Sequence, residues 1–249
     1  MLQQTQAPRV ATFYAGFLER FPTVASLAAA SRAEVVRAWG SLGYQRRAVA
    51  LHEAARVIEE RHGGRVPRTL DELLALPGVG PYTAGAVASI AFGIAVPAID
   101  TNVRRIVARA ALGAEPDEVA AGAVAADARA WLDERRPGDW NQALMDLGRE
   151  VCRPVPRCGL CPIAEGCRFR ASGRTGRRSS RPQTPFEGSL RQVRGRIVAA
   201  LRERDAASIE ELTRQTGFEP ARIEEALGGL TRDGVVGRSG RRRFRLAEG

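Results

Sequence analysis

Four cysteines, Cys152, Cys158, Cys161 and Cys167, stand within one sixteen-residue stretch, and the chain has no others. Four thiolates that close together hold either a [4Fe–4S] cluster or a zinc ion, and spacing alone does not choose between them. Arg153, Arg157, Arg168 and Arg170 surround them, so a metal there serves as a replacement for a missing core, or as a staple that presents cations to DNA. A second chemical feature is Leu76-Pro77-Gly78-Val79-Gly80-Pro81-Tyr82-Thr83-Ala84. Its two glycines let the backbone turn sharply into a helix, whose first-turn N–H groups have no helical carbonyl to meet and suit an anion. A DNA phosphate is the natural anion for this helix-hairpin-helix signature, while an ordinary interhelical turn uses the same residues. Eighteen residues after Tyr82 comes Asp100, between Pro97-Ala98-Ile99 and Thr101-Asn102-Val103-Arg104-Arg105. An Asp in front of a helix caps it. If that helix end faces DNA, the carboxylate also stabilises the cationic sugar formed as a glycosidic bond breaks.

Helices must position these groups. Apolar residues recur at helical spacing in Val10-Phe13-Tyr14-Phe17 and in Val35-Val36-Trp39, and read as core. Ser31 with Glu34 forms a capping box, and Thr69 with Glu72 opens a further helix in the same way. His52 and His62 have no partners at ligand spacing and read as surface helix residues. Residues 171–188 carry several arginines and little that can pack, which predicts a flexible basic linker, a tether and a phosphate grip together. Beyond it, Val193, Ile197, Val198 and Leu201 mark a helix, and Ser208 with Glu211 caps a short one. Pro220 starts a third helix with Ile223, Ala226, Leu227 and Leu230 on one face. Val235 to Leu246, turning at Ser239-Gly240, reads as a hairpin. Three helices and a hairpin predict a winged helix. Its Arg241, Arg242 and Arg243 can meet phosphates, while Glu224-Glu225 on its helix suits a protein partner equally.

The 249 residues include 38 basic ones, all Arg, against 28 acidic ones, for a formal net charge of +10. A GC-rich genome explains the missing Lys but not the excess of Arg over acid, which points to a polyanionic partner. No apolar run reaches membrane-spanning length, and Met1 to Gln6 is too polar for a signal peptide. A cytoplasmic, nucleoid-associated location is expected, where disulfides are rare.

Taken in order, Met1-Leu2-Gln3-Gln4-Thr5-Gln6, Leu42-Gly43-Tyr44, Leu76 to Ala84, Asp100 to Arg105, Asn141 to Gly148 and the cysteine loop form a specific combination. Over residues 1 to about 170 it resembles the helix-hairpin-helix base-excision glycosylases, and most closely the A/G-specific adenine DNA glycosylase (MutY) family. The resemblance implies a mainly α fold. Residues 1–98 would form a six-helix helix-hairpin-helix domain and 99–170 an iron–sulfur helical domain, followed by the linker 171–188 and a winged-helix-like α+β domain at 189–249. It implies a [4Fe–4S] cluster on Cys152, Cys158, Cys161 and Cys167. The implied partner is double-stranded DNA with a mispaired or oxidised base, bound by a monomer. The base is flipped out because its glycosidic bond is inaccessible inside the stack. Asp100 would stabilise the oxocarbenium-like sugar, Tyr82 would line the adenine pocket beside it, and Asn102 would contact the reacting sugar. Leu2, Gln142 and Met145 would complete the pocket. Gln4, Thr5, Leu42 and Tyr44 would fill the stack and touch the opposite base, typically 8-oxoguanine. Gly78, Val79, Gly80, Thr83 and Arg104 would contact the DNA strand.

The chain departs from that family in three places. The family's general-acid Glu lies two residues before the position of Met1. This polypeptide is therefore expected to have little or no activity, with translation starting upstream. The first cysteine interval has five residues, one fewer than is usual in the family. The family's C-terminal domain, which reads 8-oxoguanine, is not recognisable, and discrimination of the opposite base is expected to be weaker or differently built. Bifunctional relatives attack the sugar with a Lys amine. Tyr82 occupies that position and the chain has no Lys, so a monofunctional glycosylase without lyase activity is expected. The rival readings are a glycosylase for T·G and U·G mismatches, which shares the Tyr, and a non-catalytic DNA-lesion binder.

Overall fold

Side-chain caps start several helices where the sequence predicts them. The computed structural model describes residues 1–177 and 185–248. It opens with α1 (Ala7–Arg20), α2 (Val24–Ala29), α3 (Arg32–Trp39) and α4 (Arg46–His62). Ser31 and Glu34 exchange side-chain-to-amide hydrogen bonds at the start of α3, the expected capping box. Then come α5 (Leu70–Leu74), α6 (Pro81–Ala86), a π-helical turn at Val87–Ala91, α7 (Thr101–Ala110), α8 (Ala121–Trp131), α9 (Pro137–Glu150) and α10 (Arg168–Ala171). The C-terminal part holds α11 (Leu190–Arg202), β1 (Ala207–Ser208), α12 (Ile209–Thr216), α13 (Pro220–Arg232), β2 (Val236–Arg238) and β3 (Arg243–Leu246). The predicted hairpin is present, with Val236 opposite Leu246. A short strand that the sequence pattern does not show, β1, pairs on the other side of β3 and gives the antiparallel order β1-β3-β2.

The chain divides into two compact units, Met1–Val66 with Gln183–Gly249, and Pro67–Pro182. In the first, α1 to α4 share one apolar core with the winged-helix-like segment. Phe17, Phe21 and Trp39 form T-shaped ring contacts at one end of it. Val193, Ile197, Leu227, Leu230 and Leu246 belong to the same core. Arg32 joins the two parts, donating from its amide to the Glu248 carbonyl at 3.1 Å and from its guanidinium to the Gly234 carbonyl and to Glu53. Tyr14, read as core, is exposed on α1, whereas Val10 and Phe17 are buried.

His52 corrects a sequence expectation. It is 2 % exposed rather than a surface residue, because α4 packs closely on α2. Its Nε2 lies 2.9 Å from the Ala30 carbonyl and its buried Nδ1 has no partner. That is the arrangement of a neutral imidazole. Burial holds its pKa below the ordinary value, and the charges of Arg32 and Arg56 push the same way against the carbonyls of Ala30 and Ala28. Below a pH of about 6.5 the unfolded chain therefore binds a proton that the folded protein refuses, and stability falls as pH falls. The urea midpoint is expected to drop between pH 7 and pH 5, and the drop to be shallower in His52→Leu. Equal slopes in the two proteins would exclude His52 as its source.

The second unit is built on α7, whose Val103, Val107 and Ala108 meet Val124 and Ala128 of α8. The part of the expected linker described here is held down. Arg174 reaches Glu118 at 2.7 Å and the Gly113 carbonyl at 3.1 Å, with its guanidinium 5.2 Å from the Phe169 ring centre. Arg177 pairs with Asp117 at 2.7 Å. The acidic turn at 115–118 supplies the partners. Residues 178–184 of the expected linker lie outside the described residues.

Candidate active site

Asp100 is placed by what precedes it. Asn141 on α9 is fully buried and accepts from the Ala98 amide at 2.7 Å. Its amide group donates to Ser89 Oγ and to the carbonyls of Val96 and Pro137. One side chain thus ties the segment leading into Asp100 to α9 and to the π-helical turn. Gly85 lets α6 approach this segment, since a Cβ there would stand 2.9 Å from the Pro97 carbonyl oxygen.

At the start of α7 the Asp100 carboxylate takes both predicted roles' first requirement, a fixed orientation. Oδ1 accepts from the amides of Asn102 and Val103 at 2.8 and 2.7 Å, and Oδ2 accepts from Asn102 Nδ2 at 2.9 Å. A carboxylate offers about four lone-pair directions, so roughly one remains, on Oδ2. Asn102 is held in turn by Arg105, which donates to Asn102 Oδ1 and to the Gly148 carbonyl at 2.8 Å and to the Cys152 carbonyl at 2.6 Å. Gly148 is required here: a Cβ would come within 2.5 Å of Asn102 Cβ.

Tyr82, on the first turn of α6, lies close enough to Asp100 to feel its charge. Burial pushes the phenol pKa up and the carboxylate adds to the shift. The Tyr82 hydroxyl lies 3.7 Å from Met145 Sδ, and Gln142 stands exposed one turn earlier on α9. Asp100, Asn102, Tyr82 and Met145 thus lie near one another within the second unit. The preceding turn has Gly78 at φ +73°, a left-handed conformation that favours glycine, and Gly80 as N-cap with Pro81 in the first helical turn. Val79 lies at the centre of this turn and Thr83 in the helix after it, both half-buried. Arg104, expected on DNA, donates through Nη2 to the carbonyls of Pro116 and Val119 in the turn after α7.

Leu2, Gln4, Thr5, Leu42 and Tyr44 belong to the first unit. Leu2, Gln4 and Tyr44 are exposed. Leu42 is only 4 % exposed, packed in the core, so any contact it makes with DNA goes through its backbone. Arg105, Asn141 and Gly148 lie inside the motif stretches, yet residue type alone does not mark them. The one available signal is the three-residue spacing of Asn102 and Arg105, which puts both on one face of a helix.

All four cysteines line one cavity with Ile106, Arg109 and Phe169. Burial pushes the Cys152 thiol pKa up, and the nearby Arg109 cation opposes it. Among the described residues no three His, Cys, Asp or Glu side chains are gathered closely enough to hold a single metal ion; the four thiols around this space beside a cation are the donor type that an anionic iron–sulfur cluster takes. Among the described residues no helix is long and apolar enough to cross a membrane.

Residues 1–124 match the HhH-GPD superfamily of base excision DNA repair proteins. The adenine DNA glycosylase of Mycolicibacterium smegmatis is 41 % identical over 249 aligned residues, covering 99 % of this chain and 85 % of that one. The human adenine DNA glycosylase is 47 % identical over 174 residues, covering 68 % of this chain and 32 % of its own. A thermostable thymine-DNA glycosylase of known structure superposes with a TM-score of 0.64 at 30 % identity, over 69 % of this chain and 80 % of its own.

Proposed function

The chain belongs to the adenine DNA glycosylase family of helix-hairpin-helix base-excision enzymes, and from that premise we propose that it hydrolyses the N-glycosidic bond of adenine mispaired with 8-oxoguanine or guanine, without lyase activity. The carrying observation is the Asp100 carboxylate, fixed by three hydrogen bonds with about one lone pair left over, beside Tyr82 and Met145. A fixed anion costs no reorganisation when positive charge develops on the sugar. Tyr82 and Met145, with Gln142, wall the flipped adenine, and Asn102 holds Oδ2 in place. The Gly78–Gly80 turn grips the strand phosphate. Gln4, Thr5 and Tyr44 face the vacated stack and the opposite base. The chain has no Lys and carries Tyr82 where lyases need an amine, which supports monofunctional hydrolysis. Cys152, Cys158, Cys161 and Cys167 would hold a [4Fe–4S] cluster, which would staple the loop after α9. The purified protein is expected to hold iron and inorganic sulfide in equal amounts; zinc in their place would mean a structural ion instead.

The test is a panel of duplexes containing A·8-oxoG, A·G, T·G or U·G, followed over a single turnover with and without borohydride. With an acid supplied two residues before Met1, release of free adenine, fastest opposite 8-oxoguanine, is expected, with no covalent adduct trapped; the 249 residues alone are expected to release little or none. Cleavage confined to T·G and U·G would favour the second reading, a mismatch thymine or uracil glycosylase, which the thymine-DNA glycosylase likeness supports. A trapped adduct would overturn the monofunctional assignment.

A further inference from the structure

Among the described residues, two that are not glycine adopt a positive φ, Gln4 at 55° and Tyr44 at 46°. L-residues occupy that region at a cost, so surrounding contacts must hold each one there. The two lie forty residues apart in sequence, on the two segments that the proposed function sets against the base opposite the adenine. A single side chain links those segments. Arg47, in the first turn of α4, donates through Nη1 to the carbonyls of Met1, at 3.0 Å, and of Gln3. Its Nη2 donates to Thr5 Oγ1 at 2.9 Å and to the Gly43 carbonyl at 3.5 Å. Its guanidinium stands 5.2 Å from the Tyr44 ring centre and 5.5 Å from that of Trp39, within cation–π range. The Arg47 amide also closes the turn after Tyr44, on the Tyr44 carbonyl at 2.8 Å.

We propose that Arg47 is a positioning residue for recognition of the opposite base: it clamps the Met1–Thr5 segment to the Gly43–Tyr44 turn, so that Gln4 and Tyr44 meet DNA as one preformed surface. Thr5 Oγ1 and the carbonyls of Gln3 and Gly43 sit one residue away from the two strained positions, and only a planar fork with several donors reaches them all. A preformed reader loses less freedom on binding, so it separates 8-oxoguanine from guanine more sharply. Arg47 touches no reacting atom, and its effect falls on discrimination rather than on the chemical step.

This rests on the reading that Gln4 and Tyr44 face the opposite base, and the experiment separates the two. Affinity is measured for duplexes whose target adenosine carries a 2′-fluorine to resist cleavage, opposite 8-oxoguanine or guanine. Arg47→Met is expected to shrink the affinity ratio between them about tenfold, Arg47→Lys nearly as much because the fork is lost, with binding opposite guanine little changed. In a double-mutant cycle, Arg47→Met and Tyr44→Ala are expected to be non-additive in that ratio. If Gln4→Ala and Tyr44→Ala both leave the ratio unchanged, the opposite-base reading fails and the proposal with it. If those two abolish it while Arg47→Lys, folded with an unchanged Tm, keeps it in full, the clamp is overturned. A loss of affinity equal for the two duplexes, or full additivity in the cycle, also overturns it.

Discussion

Asp100→Asn is expected to slow adenine release by about 10²–10³-fold or more, while the protein stays folded. The argument starts from what the substitution leaves alone. Asn caps a helix as well as Asp does, so its Oδ1 continues to accept from the Asn102 and Val103 amides. The other atom becomes an NH2 facing Asn102 Nδ2, a donor against a donor. Asn102 cannot simply turn over, because its Oδ1 is already held by Arg105. One hydrogen bond is lost, worth about 1 kcal/mol, and Tm moves by a few degrees. The anion itself is gone, however, and nothing else that these contacts bring to Tyr82 and Met145 carries negative charge. Asp100→Ala removes the cap as well and is expected to cost a further ~0.5–2 kcal/mol of stability for a similar loss of rate. Asn102→Ala leaves the charge but frees Oδ2, so a smaller loss of about tenfold is expected. The measurement, on the chain with an acid supplied two residues before Met1, is single-turnover release of free base from an A·8-oxoG duplex with protein in excess, beside a melting curve. Release by Asp100→Asn within about twofold of the unaltered chain would sink the assignment.

What the sequence reveals of this site is what local geometry controls. A cap needs its side chain within three residues of the amides it serves, so Asp100 before Asn102 and Val103 is readable, as is Ser31 before Glu34. The glycine turn at 78–80 is readable because few backbones other than glycine accept that φ. The support around the site is not readable, because it comes from distant parts of the chain. Asn141 reaches Ala98 across forty-three residues, and Arg105 reaches Cys152 across forty-seven. An exposed polar residue looks the same in a sequence. His52 misleads for that reason: one polar residue on a helix face says nothing of the neighbour that covers it. The association of the C-terminal helices with α1 to α4 is equally silent, since an apolar stripe specifies that it must be covered and not by what. Residues 174–177 read as linker by composition, and become ordered through the acids at 117 and 118, which no local pattern connects to them.

Arg109→Met is expected to be the most destabilising single change in the second unit, lowering Tm by roughly 10–20 °C through a loss of about 3–5 kcal/mol. Arg109 is 2 % exposed and Glu115 5 %. The guanidinium meets both Glu115 oxygens, at 2.8 Å to Oε1 and 3.1 and 3.2 Å to Oε2. Its remaining donors reach the carbonyls of Arg153 at 2.6 Å and Pro154 at 2.8 Å, and it lies 5.0 Å from the Phe169 ring centre. Truncation therefore leaves a buried carboxylate without its cation and two carbonyls of the cysteine loop without donors. The same contacts fix the stretch between Cys152 and Cys158, the interval one residue shorter than is usual in the family, so on the proposed [4Fe–4S] assignment iron retention is expected to fall together with stability. A double replacement, Arg109→Met with Glu115→Gln, separates the causes. If the stranded charge dominates, the double variant recovers several degrees over the single one. If the loop carbonyls dominate, the two melt alike and both lose iron faster than the unaltered protein on exposure to a chelator. Melting of Arg109→Met within about two degrees of the unaltered chain, with iron held as long, would show that the pair and its loop contacts contribute nothing to the fold they lie beneath.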